Sequence, residues 1–486
     1  MLEWQITEFG ENCPITEESV KNELDRIYKL QKEAFERLPF PTLGERKAHL
    51  SILAEEIKTN TDRFVETLNA DFGNRSTYET RLIISIGTLE IIRNTLKNLQ
   101  NWMKPRRKPI SILFRFARAK MVPQPIGVVG IISPWNLPLF LTIGPLIQAL
   151  AAGNRVMIKV SEHTPRTGEL IKEVLRNGFS EDHVAVITGD ADTAAKFSSL
   201  PFDHLLYTGS TEVGKKVMRA ASENLTPVTL ELGGKNPAII SPGFPIKTSA
   251  ERILFWKCLN GGQVCQSTDY VMVHKNDLES FVESSKSIVA KHYPTIANNQ
   301  DYTSIINQNN YDRLQRYISD AREKGAEVIE INPANENFEP DKRKIPLTIL
   351  LKVTDDMLAM QEEIFGPLLP VLTYQNLDDA ISYVNSKPRP LSLFYFDNDS
   401  SRIDKVLKRT ISGGVVVNDA FWHFAQDGMP VGGVGASGMG RYHGKEGFDT
   451  FSHIKPIIYQ SNLSLLGLLR PPFGKIIELV NSFTRR

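Results

Sequence analysis

From residue 126 onward the chain alternates short β-branched runs with helical stretches, and this alternation restricts the fold more than any other feature. VVGII (128–132) precedes PLIQALAAG, RVMIKV (155–160) precedes PRTGELIKEVLRNG, VAVITG (184–189) precedes ADTAAKFSS, and HLLYTGS (204–210) precedes TEVGKKVMRAAS. Strands that each return through a helix predict a parallel sheet with helices on both faces, an α/β architecture. A second such series starts near 235 and includes YVMVH, AEVIE, PVLTY and GGVVVN. The first hundred residues are helical in pattern instead, with Leu50, Leu53 and Ile57 on one face of HLSILAEEIK and charges opposite. Between these regions KPRRKPISILFRFARAKMVPQP (104–125) is basic, Pro-flanked and alternating at its centre, which predicts a projecting hairpin or linker. A chain of 486 residues exceeds one core, and at ~150 residues per domain it divides into about three units. Two α/β units with a small basic excursion are expected.

The stretch PIGVVGIISPWNLPLFLTIGPLIQALAAG (125–153) carries no charge and is long enough to span a membrane. Pro134, Asn136, Pro138 and Pro145 interrupt it, however, and each would leave backbone groups unsatisfied in lipid. A buried strand, a polar turn and a buried helix fit better, so no transmembrane segment is expected. Lys plus Arg number 57 against 56 Asp plus Glu, a net charge of +1 that offers no electrostatic footprint for nucleic acid. The three cysteines, Cys13, Cys258 and Cys265, are an odd number without a CxxC pair. They argue against a disulfide framework or structural zinc and point to a reducing, cytoplasmic setting. The beginning MLEWQITEFGENC has early acids and no apolar h-region, so no signal peptide is expected.

Several loop sequences carry candidate chemistry. In NGGQVCQSTDY, Cys265 sits among small and polar residues; a free cysteine there is either packing or a nucleophile. GSTEVGKK (209–216) follows a strand and opens a helix, which makes an anion site where Ser210 or Thr211 caps it. It matches the P-loop pattern through Lys215 and fails at Lys216; it also fails the GxGxxG fingerprint at Thr211. A plain tight turn explains its glycines equally well. In TLELGGKNP, Glu231 alternates with Leu230 and Leu232, so its carboxylate is either a partly desolvated general base or a surface strand residue. Asn136 of PWN follows a buried strand and is either an oxyanion donor or a helix cap. KVSEHTP places Lys159 and Glu162 past another strand end. EEIFGP (362–367) and PVGGVGASGMGRYHG (430–444) read as loops whose glycines serve turn geometry.

Taken in order, PWN, KVSE, YTGSTEVG, LELGGKNP, GGQVCQ, QEEIFGP and GGVGASGMGRYHGKEGFDTFSH resemble the aldehyde dehydrogenase superfamily, over residues 20 to 460 or so. The short N-terminus and the SGMGRYHG…FSH ending are similar to its class 3 branch, and MRAASENLTPVTLELGGK and MQEEIFGPLLPVL to the bacterial coniferyl aldehyde dehydrogenases within it. The resemblance implies the aldehyde dehydrogenase fold: a Rossmann-like NAD(P)-binding domain (1–105 and 126–234), an α/β catalytic domain (235–430), and a small β bridging or oligomerisation element with a tail (106–125 and 455–486). It implies that Cys265 attacks the aldehyde carbon, that Asn136 and the Cys265 backbone N–H hold the oxyanion, and that Glu231 activates water against the resulting thioester. An ordinary thiol titrates near ~8.5, so neighbouring donors are expected to favour the thiolate. Lys159 and Glu162 would hold the adenosine ribose, Gly209, Ser210 and Gly214 the pyrophosphate, and Glu363 and Phe365 the nicotinamide ribose and ring. Glu162 beside the ribose 2′ position would repel a 2′-phosphate, which favours NAD, with NADP also used in this branch. Lys235 would support the Glu231 loop.

No metal is expected, and a homodimer is what the branch implies. The apolar, basic-ended tail SNLSLLGLLRPPFGKIIELVNSFTRR (461–486) would cover the partner subunit rather than lie on a membrane surface. Trp256, Phe421, Trp422 and Phe424 suit a flat aromatic aldehyde or plain core; a medium-chain aliphatic aldehyde is the other substrate. Two rival readings stand beside this one. They are a P-loop-type nucleotide hydrolase using Lys215 and a non-catalytic scaffold on the same fold.

Overall fold

Three sheets organise the chain in the computed structural model, which describes residues 17–111, 114–426, 428–463 and scattered positions between 470 and 482. The first sheet has six strands in the order Gly438–Met439, Val228–Glu231, His204–Thr208, Val128–Ile132, Arg155–Lys159 and Val184–Ile187. All neighbours are parallel except Gly438–Met439, which runs against Val228–Glu231. Val128–Ile132 and His204–Thr208 are buried at every residue, as strands covered by helices on both faces must be. The chain starts this sheet at its centre, builds two strands to one side, and then returns to the other. That reversal falls between Val128–Ile132 and His204–Thr208. Register sets Ile132 beside both Lys159 and Tyr207, and Thr208 beside Glu231. The carboxyl ends therefore open a crevice at the switch point, where ligands of open α/β sheets gather.

The charge-free span behaves as its prolines require. After Val128–Ile132 comes a polar turn, then the helix Pro138–Ala152, buried at every position with Pro138 at its start. Leu50, Leu53 and Ile57 of the helix Leu43–Thr59 join the same apolar core. Among the described residues no helix is long and apolar enough to cross a membrane.

The second sheet has seven strands in the order Glu327–Glu330, Thr348–Leu351, Leu368–Tyr374, Tyr270–His274, Pro237–Ile240, Ser392–Phe396 and Gly414–Val417. YVMVH, PVLTY and GGVVVN supply parallel members as expected. AEVIE departs from its series: Glu327–Glu330 lies at the edge and pairs antiparallel with Thr348–Leu351, which lets Glu327 and Glu330 face solvent. Pro237–Ile240, Thr348–Leu351 and Ser392–Phe396 have no counterpart in the sequence reading. They are short, wholly buried runs with no alternation to mark them.

The basic excursion forms the third sheet. Arg106–Lys108 and Arg118–Pro125 pair antiparallel, and Ser452–Tyr459 lies along the full second strand, with Ser452 opposite Pro125 and Tyr459 opposite Arg118. The tail from 461 lies for the most part outside the described residues.

Candidate active site

A cavity of about 240 Å³ opens at the switch-point crevice. Strand ends of the first sheet and the loops after them supply Trp135, Asn136, Thr208, Gly209, Ser210, Glu231 and Gly233; the second unit adds Cys265, Asn310, Arg313, Glu363 and Phe365. Seven residues singled out in the sequence thus share one cavity: Cys265, Glu231, Asn136, Gly209, Ser210, Glu363 and Phe365. Lys159, Glu162 and Gly214 stand outside its lining. Lys215 also stays away, paired with Glu212 at 2.6 Å on the exposed side of the helix Thr211–Ser222. A P-loop lysine would have to face the crevice.

Local chemistry explains how Cys265 is presented. The turn before it places Asn260 (φ 52°), Gly261 (φ 61°) and Gly262 (φ 74°) in the left-handed region. At Gly262 a Cβ would come 2.4 Å from the Gly366 carbonyl oxygen, so only glycine fits. The Gln263 side chain is fully used: Nε2 donates to Asn260 O (2.8 Å) and Ser304 O (3.1 Å), and Oε1 accepts from Ile306 N (2.9 Å). Beyond the cysteine, Asn236 Nδ2 donates to Cys265 O (2.7 Å) and Ser267 O (2.9 Å), while its Oδ1 accepts from Ser392 N (2.9 Å). One side chain therefore ties the Cys265 loop to the amino ends of two central strands. Cys265 is partly exposed there; Cys258, ending the helix Ile246–Cys258, is buried as packing. Among the described residues no group of His, Cys, Asp and Glu could hold a metal ion.

The polar groups around Cys265 are only partly satisfied. Asn136 Nδ2 donates one hydrogen to Gln263 O at 3.1 Å, which leaves its second for a ligand. Glu231 ends its strand nearly fully buried, and its Oε1 has no partner. Burial alone holds this carboxyl well above the usual range. Thr208 Oγ1 is likewise buried without a partner.

The thiol departs from expectation. Burial pushes it up to about 12; Glu363 and Glu231 add to that rise, and the N–H groups of Cys265 and Gln266 oppose it. Carboxylates, rather than donors, dominate its surroundings, which works against the thiolate. Glu363 is itself pushed up to about 8, by burial first and then by Asp269. It gains negative charge as pH rises through that value and then disfavours the thiolate more strongly. Glu363→Gln is therefore expected to speed alkylation of Cys265 by iodoacetamide, by up to about tenfold for one pKa unit. The gap from wild type should widen between pH 7 and 9; equal rates across that range would contradict the assignment.

The remaining candidates are fixed by packing. Ser210 caps Thr211–Ser222, accepting from Val213 N, and so aims that helix's positive end at the crevice. Gly209 is required because a Cβ would meet the Tyr207 hydroxyl at 2.2 Å. Gly214 serves helix packing, since a Cβ would lie 2.7 Å from Leu232. Lys159 Nζ, on a buried side chain, donates to Val160 O (2.7 Å) and lies 3.8 Å from Glu162. Lys235 donates to Asp269, Ala359 O (2.7 Å) and Glu362 O (2.9 Å), bracing the loop of Glu363 as well as its own. Phe365 meets Trp135 edge to face at 5.3 Å.

The profile of the aldehyde dehydrogenase family matches residues 11–457. The chain belongs to this family. Among curated relatives, a probable coniferyl aldehyde dehydrogenase of Pseudomonas aeruginosa is 50% identical, covering 94% of this chain and 95% of that one. A coniferyl aldehyde dehydrogenase of a Pseudomonas species is 46% identical, covering 96% of each. Among solved structures, a substrate-bound AldH of Staphylococcus aureus superposes with a TM-score of 0.90 at 36% identity, over 95% of this chain and 99% of that one. A Mycobacterium tuberculosis aldehyde dehydrogenase complexed with NAD+ superposes at 0.82 and 26% identity, over 91% of each. This aldehyde dehydrogenase thus has the fold expected of its motifs.

Sequence reading missed Asn236, Thr208, Trp135 and Tyr442. Asn236, two residues past the diglycine Gly233–Gly234 and just before the strand Pro237–Ile240, had a signal: an amide at the start of an apolar run. Tyr442 had none; its phenol is held up by burial and by the charges of Glu231 and Cys265, which come near it only in the fold.

Proposed function

We propose that this aldehyde dehydrogenase oxidises its aldehyde through an acyl group on Cys265, with NAD as acceptor. The Cys265 proton passes to solvent as Sγ adds to the carbonyl carbon. The oxyanion is held by the free Asn136 Nδ2 hydrogen and the Cys265 N–H. When bound, the dinucleotide supplies the two-electron acceptor for the hydride leaving that carbon, and a thioester remains. Glu231 then takes a proton from water, whose oxygen attacks the thioester carbon; the carbon–sulfur bond breaks, the Cys265 sulfur takes the proton back from Glu231, and the carboxylic acid is released. The observation that carries this reading is the buried, unpartnered Glu231 Oε1 in one cavity with Cys265.

The residues present fit the dinucleotide. The helix end capped by Ser210 suits the pyrophosphate, and the unpartnered Thr208 Oγ1 lines the same space. Lys159 and Glu162 would hold the adenosine ribose, and Glu363 and Phe365 the nicotinamide ribose and ring. Glu162 opposes a 2′-phosphate, so NAD is expected to bind more tightly than NADP, a difference that calorimetry measures directly.

The substrate proposed is a flat aromatic aldehyde. An apolar cavity of about 100 Å³ is lined by Leu137, next to Asn136, and by Gly87, Phe140, Trp256, Phe421, Trp422 and Phe424. Trp256 stacks on Phe421 at 4.0 Å and 15°, giving planar walls without polar groups. The coniferyl aldehyde named for two relatives is of this class. A Cβ at Gly87 would already press on the Phe140 ring at 2.9 Å. Gly87→Leu is therefore expected to lower kcat/KM for coniferaldehyde by roughly tenfold or more while leaving acetaldehyde within about twofold. Equal losses for both would move the substrate path elsewhere.

A further inference from the structure

Two backbone oxygens near the nucleophile collect an unusual set of donors. Asn136 O accepts from Arg75 Nη1 (2.8 Å) and from Asn260 Nδ2 (3.1 Å). Asn260 Nδ2 also donates to Gln263 O (3.1 Å), the oxygen that accepts from Asn136 Nδ2 at the same distance. The two side-chain amides therefore share one acceptor, Gln263 O. Asn260 is anchored from behind, its backbone N–H donating to Glu79 Oε2 at 3.0 Å. Arg75 and Glu79 flank the start of the helix Thr77–Leu82, so one short element supplies both ends of the arrangement.

This arrangement is costly to keep. Arg75 is 3% exposed and its Nε has no partner; the Asn260 Oδ1 is buried without a partner as well. A buried charge with unsatisfied donors destabilises a fold, and an apolar side chain of similar volume often serves stability better. Asn260 also holds a left-handed backbone that suits few residues. Two buried polar atoms without partners, Arg75 Nε and Asn260 Oδ1, thus stand behind the Asn136 and Gln263 carbonyls, with the Phe72 ring 4.6 Å from the Arg75 guanidinium.

We infer that Arg75, Asn260 and Glu79 form a brace that fixes Asn136 so that its free amide hydrogen points at the oxyanion position. They are positioning residues: Arg75 and Asn260 hold the Asn136 backbone, and Glu79 holds Asn260. The inference rests on the reading of Asn136 as oxyanion donor. Its role is to keep that donor from rotating towards competing acceptors, since a preorganised donor gives far more than a mobile one.

The test uses two reactions of Cys265 in the full chain without dinucleotide. With p-nitrophenyl acetate, Sγ attacks the ester carbonyl, p-nitrophenolate leaves and an acetyl group stays on sulfur, so a carbonyl oxyanion develops. With iodoacetamide, Sγ displaces iodide and no such oxyanion forms. Arg75→Lys and Glu79→Ala are expected to slow acylation by roughly tenfold and to leave alkylation within about twofold. Glu79→Gln, which keeps an acceptor for Asn260 N–H, should restore acylation to within about twofold of wild type. Asn136→Ala sets the reference, at ~100-fold slower acylation for a lost oxyanion donor. If Asn136→Ala is slow while Arg75→Lys and Glu79→Ala acylate at the wild-type rate, the brace is wrong. If both reactions fall together in those variants, the residues act by general loosening and the brace is again wrong. Wild-type acylation in Asn136→Ala overturns the oxyanion reading, and the brace with it.

Discussion

Cys265→Ala is expected to lower aldehyde-dependent NADH formation to below about a thousandth of wild type, because the proposed route passes both half-reactions through the Cys265 sulfur. Dinucleotide binding should persist, since its proposed contacts come from Ser210, Lys159, Glu162 and Glu363. The pairing of lost turnover with retained binding matters. A misfolded variant would lose both, and a protein that only scaffolds would show no turnover in the wild type either. Cys258→Ala serves as the control: burial pushes its thiol up to about 12, at the end of a packed helix, and it should oxidise aldehyde at close to the wild-type rate.

The second large effect belongs to Glu231. Glu231→Gln is expected to reduce steady-state turnover by about 10²- to 10⁴-fold, the range for losing a positioned general base. Water attack should suffer more than acylation, so a rapid burst of NADH, at most one per active site, should precede the slow rate. The pH profile carries a sign. Burial holds this carboxyl well above the usual range, so its ionised, proton-accepting form grows in as pH rises well beyond ordinary carboxylate values. Wild-type turnover should climb along that limb, and the Gln variant should lose it. Stability should move the other way. A carboxyl raised on folding favours the fold fully below its unfolded value, and that contribution is lost as pH rises through the folded value. Glu231→Gln should therefore melt higher than wild type at neutral and alkaline pH, a stabilisation gained at the expense of activity.

Parts of this account were legible in the sequence for plain physical reasons. Strand and helix periods differ, so VVGII, RVMIKV and HLLYT stood out between helical stretches and became the centre of the first sheet. The prolines of the charge-free span ruled out a membrane helix before the fold placed it in the core. Short runs buried throughout, such as TILL and SLFYF, carry no period, and only their pairing reveals them as strands. Family motifs pointed to Cys265, Glu231 and Asn136, but the residues alone left each with a bland alternative. Their convergence depends on a topology that reverses at Val128–Ile132, which local sequence does not encode. The thiol's surroundings were misjudged for a related reason: the approach of Glu363 is a tertiary fact, invisible from NGGQVCQ.

The most direct test is the mass of the Glu231→Gln enzyme, quenched within the burst after mixing with coniferaldehyde and NAD, then digested and mapped. The account predicts that the peptide carrying Cys265 gains the mass of the aldehyde less two hydrogens, and that the adduct vanishes with hydroxylamine as a thioester does. Turnover of the wild type with no such adduct in the variant, or with the acyl group on any other residue, would contradict it.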